Sequence, residues 1–159
     1  MTDVQTERTR LRKAWWVTVK GHDKSETYYA ATAGKARMQA WYSIDSERVR
    51  IVDIVVRRNY AADALLPAPG PIAVSLSRQE SNALLHAFGA NGVDPTKAGC
   101  RDYFYTSPAD PTLCSLVSRG LMKAPAGDKW KDGMGYFILS QAGREVALSL
   151  TPLYAMGAA

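Results

Sequence analysis

Cysteine is scarce in this chain. Cys100 and Cys114 are the only two among 159 residues, too few for a disulfide scaffold and too far apart for a CxxC zinc pair. A reduced, cytoplasmic setting is the expectation. Long apolar runs are lacking too. None approaches the ~20 residues of a membrane span, and the first stretch, MTDVQTERTRLRK, is charged with no apolar segment behind it. Neither a membrane partner nor an export signal is therefore expected. Histidine is limited to His22, in a turn, and His86, within a helical pattern. There is no nucleophile elbow, no phosphate loop and no carboxylate pair at a spacing suited to acid–base work. A non-enzymatic protein without cofactor or metal is expected. Cys114, beside Leu113 on a helix, reads as packed, not reactive.

What is present is enough to build a core: 47% of the residues are hydrophobic and 22% charged. The net charge is +5 and the isoelectric point near 9.3, a balance that favours acidic partners, nucleic acid among them. The excess is uneven. Residues 1–66 hold 12 Lys/Arg against 8 Asp/Glu, and residues 67–159 hold 8 against 7.

The first twelve residues are polar and read as frayed. From Ala14 to Lys20 the chain alternates, with Trp15, Val17 and Val19 on one side and Trp16, Thr18 and Lys20 on the other, the period of a strand. GHDKS turns, and SETYYAA makes a second strand. Thr32 can cap a helix with Ala36, Ala40, Trp41 and Ile44 on one face and Lys35, Arg37, Gln39 and Ser43 on the other. VRIVDIVVR, 49–57, is β-branched and reads as a third strand in which Val52, Ile54 and Val56 share a face. The result is a β-β-α-β unit over 1–60. PAPGP interrupts both helix and strand, which places a linker at 61–72.

A second unit is predicted over 73–159. Ser77 and Glu80 form a capping box, Leu84, Leu85 and Phe88 face inward, and Gly89 stops the helix. Residues 90–107 are irregular, with a short strand at 102–106. Asp110 and Pro111 open a helix with a stripe of Leu113, Leu116, Val117 and Leu121, and Gly120 is its left-handed exit. Strands follow at 121–125 and 135–139 around the loop AGDKWKDGM. Ser140 caps a last helix that includes Ala142, Val146 and Leu148.

LVSRGLM followed by YFILSQAGREVAL resembles a winged-helix domain, in which a Gly-Leu pair ends the recognition helix and a Ser- or Thr-led helix follows the wing. YYAATAGKARMQAWYSI and IVDIVVRR are similar to the β-β-α-β unit that small bacteriophage and prophage proteins place before a degenerate winged helix. The fold class expected is thus α+β: an N-terminal β-β-α-β unit and a degenerate winged helix-turn-helix domain. One departure stands out. GVDPTKAGCRDYFYTSPAD lacks a helical stripe, so the middle helix of the helix-turn-helix has no counterpart.

The resemblance implies a DNA-binding regulator in the cytoplasm of a bacterial host cell, with double-stranded DNA as partner. On the 110–120 helix the polar candidates are Thr112, Ser115 and Arg119, and only Arg119 is a strong base reader. The wing offers Lys123, Lys129, Trp130 and Lys131, suited to gripping a phosphate backbone, although Asp128 and Asp132 offset two of the lysines. The front unit offers Lys35, Arg37, Arg57 and Arg58, with Arg48, Arg50 and the Arg8–Lys13 run nearby. An ordinary amphipathic helix, a solvated hairpin and a mixed-charge surface are the competing readings. The runner-up function belongs to another class: a protein-binding inhibitor of a host enzyme or of a CRISPR-type defence complex, anchored by Trp130, Tyr103, Tyr105 and Tyr136. Homodimerisation is left open.

Overall fold

The computed structural model describes residues 8–44, 49–90, 94–126 and 133–156. It is a mixed α+β chain with small sheets. Two compact units divide it: residues 8–66 joined by the tail from Leu153, and Pro67–Pro152. No helix among the described residues is long and apolar enough to cross a membrane.

In the N-terminal unit the elements run β1 (Thr9–Arg12), β2 (Ala14–Val19), β3 (Ser25–Tyr29), α1 (Ala33–Ser43), β4 (Ile54–Arg58) and β5 (Ala64–Pro67). The expected β-β-α-β order is present as β2, β3, α1 and β4. Both neighbours of β2 are antiparallel to it, so the order across the sheet is β3-β2-β4. The alternation in β2 decides the faces. Val17, with Ile54 of β4, is buried against Ala36 and Ala40 of α1, and Trp15, Val19, Tyr28 and Val56 pack around them. Thr32 caps α1 by accepting from the Lys35 amide at 3.3 Å.

Three expectations for this unit are corrected. Residues 9–12, read as frayed, form β1, which pairs with β5 inside the stretch read as linker; a 3-10 turn at Tyr60–Ala62 and the start of the next helix also fall there. Val52 does not share a face with Ile54 and Val56. Pairing with β2 begins only at Ile54; residues 51–53 form a 3-10 turn and Val52 is 74% exposed. The tail does not stay with the second unit. The Leu153 carbonyl accepts from Arg12 Nε at 2.8 Å, and the Tyr154 hydroxyl accepts from the Lys13 amide at 3.1 Å.

The C-terminal unit runs α2 (Pro71–Ser75), α3 (Arg78–Phe88), a 3-10 turn at Pro95–Lys97, β6 (Tyr103–Thr106), α4 (Pro111–Ser118), β7 (Met122–Lys123), β8 (Gly135–Leu139) and α5 (Gln141–Leu150). The sheet order is β6-β8-β7, with β8 antiparallel to both neighbours. Leu84, Leu113, Leu116, Leu121 and Phe137 are almost fully buried at the centre of one core. Among the described residues no α-helix lies between α3 and β6.

Local signals set the helix ends. Ser77 and Glu80 make both bonds of the capping box, and Asp110 accepts from the Thr112 and Leu113 amides at 2.9 and 3.1 Å. Gly120 adopts φ +73°, where a side chain would be strained, and carries the chain from α4 into β7. The expected last helix is present as α5, and the structure decides its inward face. Ala142 and Leu148 are exposed, while Gly143 and Ala147 are buried and Val146 packs at the edge. Gly143 is what seats this helix: a Cβ there would fall 1.9 Å from the Leu121 carbonyl oxygen. Ser140 completes the joint, donating its hydroxyl to the Gly120 carbonyl at 2.6 Å. Cys114, expected to be packed, is exposed, its thiol donating to the Pro108 carbonyl at 3.4 Å.

Candidate nucleic-acid interface

Helix α4 turns Leu113 and Leu116 into the core, which leaves Thr112, Ser115 and Arg119 as its polar candidates. Two of the three are committed within the unit. Ser115 Oγ donates to Glu80 Oε1 at 2.7 Å, and Arg119 Nε lies 3.1 Å from the same oxygen. Glu80 is only 6% exposed, and its other oxygen accepts from the Ser77 amide at 2.8 Å. A buried carboxylate is costly unless bonded, and this one receives an amide, a hydroxyl and a guanidinium. The Ser77 amide, then Ser115, with a smaller contribution from Arg119, hold its carboxyl below the usual range against the opposing effect of burial. The residues picked as base readers thus fasten α4 to α3. Arg119 keeps 40% of its side chain in solvent and reaches Ser75 Oγ at 3.4 Å.

Thr112 lies elsewhere. Together with Asp110, Gln79, Asn82, Leu85 and His86 it lines a largely apolar hollow of about 710 Å³, to which Phe104 and Leu113 also contribute. Burial, followed by the Arg101 charge, keeps the His86 ring below its ordinary range, so it is neutral at pH 7. Asp110 is occupied as the α4 cap. Among the described residues no group of three or more His, Cys, Asp or Glu is placed to hold a metal.

On the hairpin, Lys123 is exposed on β7 opposite Ile138. It shares the outer face of the sheet with Tyr103, Tyr105, Tyr136 and Ile138, because each lies one residue out of step with the core residues Phe104, Phe137 and Leu139. Tyr103 and Tyr136 meet edge to face at 5.3 Å, and Tyr105 and Tyr136 are tilted against each other at 4.6 Å. Lys129, Trp130 and Lys131 lie outside the described residues.

In the N-terminal unit the four basic candidates separate. Arg37 Nε donates to the Ile54 carbonyl at 3.1 Å, stitching α1 to β4. Arg58 forms a two-pronged pair with Asp63, with Nη2 to Oδ2 at 2.7 Å, and also donates to the Ala14 carbonyl at 2.6 Å. Its guanidinium lies over the rings of Trp15 and Tyr60 at 5.1 and 4.7 Å. Arg58 is part of the fold's framework. Lys35 and Arg57 are exposed and take part in no ion pair among the described residues. Arg12 and Arg50 are likewise engaged, by the Leu153 carbonyl and by Asp53.

Sequence reasoning passed over Trp16. It faces away from α1, is 47% exposed and is paired across the sheet with Arg57. The signal was available in the Trp15-Trp16 doublet: in a strand buried on one side, one of two adjacent tryptophans must face outward.

The fold and these surfaces define a two-unit α+β chain with exposed cations and aromatics on its sheets. No family model, curated protein or solved structure matches it.

Proposed function

We propose that the protein is a non-enzymatic DNA-binding regulator of bacteriophage or prophage type, acting in the cytoplasm of a bacterial host, with its C-terminal unit a degenerate winged helix. The order α3, β6, α4, β7, β8, α5, with β8 central, supports that reading. The observation that carries it is the joint at Gly120. The chain passes from α4 straight into β7, which sets Arg119 and Lys123 four residues apart across the joint; Lys129 and Lys131, outside the described residues, follow in the sequence. With Ser115 and Arg119 engaged by Glu80, contact runs chiefly through phosphates, and sequence discrimination is weak. Lys35 and Arg57 are further exposed cations, on the other unit.

Fluorescence anisotropy with a labelled duplex of about 20 base pairs at low salt tests this. Binding is expected at micromolar protein, with a log–log salt slope of about 0.9 per phosphate contacted. Reversing charge at Lys123, Lys129 and Lys131 together should abolish it. A duplex that stays unbound at micromolar protein removes the proposal.

One observation favours a second reading. The Tyr103, Tyr105 and Tyr136 rings on the outer sheet face are side chains of the type that anchors protein interfaces, consistent with an inhibitor of a host enzyme or defence complex. A defined host protein recovered from nuclease-treated lysate, and lost on Tyr103→Ala, would select it.

A further inference from the structure

The geometry points to a separate binding site for single-stranded nucleic acid on the open face of the β3-β2-β4 sheet, centred on Trp16. This site is independent of the duplex-binding reading, since it uses the other unit and, apart from Arg57, other side chains.

The strand alternation that buries Val17 turns Trp16 and Thr18 to the opposite face. Register then sets their neighbours. Trp16 has Thr27 on one side and Arg57 on the other; Thr18 has Ser25 and Val55. One end of this face is occupied, where Asn59 is buried and donates to Thr27 Oγ1 at 3.3 Å, and Arg12 lies 5.9 Å from the Tyr29 ring. The other end is open. Trp16 and Val55 are both close to half exposed there. With Lys20, His22 and Arg57 they line a hollow of about 370 Å³.

The composition of that hollow selects the occupant. Its lining contains two permanent cations, a histidine, two hydroxyls and an indole, and no carboxylate. Nearby Asp53 is ion-paired with Arg50 at 2.9 Å, and Arg50, with a smaller contribution from Lys20, holds its carboxyl below the usual range. Elsewhere in the unit Asp63 is bonded to Arg58, and Glu26 accepts from the Tyr28 hydroxyl at 3.1 Å; Asp23, next to His22, is exposed. Neither Arg57 nor Lys20 takes part in an ion pair among the described residues, and both are exposed to an external anion. A ligand with anionic groups spaced along a chain and flat apolar rings between them complements this surface. Single-stranded nucleic acid has that chemistry, with a base stacking on the indole and flanking phosphates meeting Arg57 and Lys20. A duplex hides its base faces within its own stack and cannot use Trp16 this way.

The test is anisotropy of the full chain with labelled oligo-dT and oligo-U of about 12 nucleotides, beside a duplex of similar length. Both single strands should bind. Trp16→Ala should weaken them by about tenfold to a hundredfold, the range for loss of one base stack, while Trp16→Phe retains most of the affinity. Arg57→Gln and Lys20→Gln should each lower the salt slope by about 0.7. Both residues are exposed, so these variants keep the assignment testable should Trp16→Ala affect folding. Reversing Lys123, Lys129 and Lys131 should abolish duplex binding and leave oligo-dT binding unchanged, which separates a failure here from a failure of the duplex reading. Single strands unbound at micromolar protein overturn the site. So does wild-type affinity in all of Trp16→Ala, Arg57→Gln and Lys20→Gln, or loss of duplex binding alone in those variants.

Discussion

Helix α1 meets its sheet through Ala36 and Ala40, whereas α3 and α4 are buried through Leu84, Phe88, Leu113 and Leu116. Alanine lets a helix come close but removes little apolar surface from water, and hydrophobic stabilisation scales with that surface. The N-terminal unit makes up the difference with polar ties. Asp63 accepts from the Ala14 amide at 2.9 Å while Arg58 donates to the Ala14 carbonyl, so one β2 residue is gripped at both backbone groups. Arg12 and the Lys13 amide bind the tail, at the Leu153 carbonyl and the Tyr154 hydroxyl. The contrast teaches how to read a basic chain. Arg12, Arg37, Arg50 and Arg58 hold structure; Lys20, Lys35 and Arg57 are left facing solvent. Net charge alone counts them alike.

The strongest way to break this contrast is to make the same change in one helix of each unit. Gly143→Ala drives a methyl into the Leu121 backbone carbonyl. Backbone cannot swing aside as a side chain can, so the expected cost is about 3 kcal/mol or more, the upper end for overpacking, read from the urea midpoint. A loss below 1 kcal/mol would mean that α5 is not seated by this contact.

Next in size is Glu80→Gln, which removes a buried charged acceptor from the α3–α4 joint. About 1.5–3 kcal/mol should be lost at pH 7. The pH dependence gives the sign. Glu80 titrates lower in the folded chain than in the unfolded one, so its contribution is full above the unfolded value of about 4.3 and fades as pH falls through the folded value. Glu80→Gln should therefore matter progressively less in acid; an unchanged deficit down to pH 2 would contradict the linkage.

A smaller effect is expected from Asp63→Asn in the N-terminal unit. Arg58, and then the Ala14 amide, hold the Asp63 carboxyl below its usual range. The melting temperature should thus fall at neutral pH and converge on wild type as pH drops through the folded value. Tryptophan fluorescence is the readout, since Arg58 lies over Trp15. Smallest, and opposite in sign to Gly143→Ala, is Gly34→Ala. The new Cβ meets only Thr32 Oγ1 at 3.9 Å, so a gain of about 0.5 kcal/mol follows from helix propensity. A loss would show that the first turn of α1 is tighter than its geometry indicates.

Much of the local structure was legible in the residues. Ser77 with Glu80, Asp110 with Pro111, Gly120 and Ser140 mark their helix ends because a cap is satisfied within three or four residues of chain. The alternation in β2 was equally plain. What escaped was long-range. β1 and β5 lie in stretches with no distinctive pattern, and only mutual pairing makes them strands. Val52 carries a strand former's side chain, yet β2 has ended its pairing at Ile54. At the candidate interface Lys123 and Arg57 were legible as exposed cations. The engagement of Ser115 and Arg119 by Glu80 was not, because 35 residues separate Ser115 from that carboxylate.

The amino-acid order by itself determined an α+β chain, the positions of its caps and left-handed turn, and the period that turns Trp15 and Trp16 to opposite faces; each depends on neighbours a few bonds away. Only the tertiary structure decided which arginines serve the fold, that the last residues rejoin the N-terminal unit, and that Trp16 sits across from Arg57. Those outcomes depend on which distant groups meet, and a charge or a ring acquires its role from the partner that reaches it.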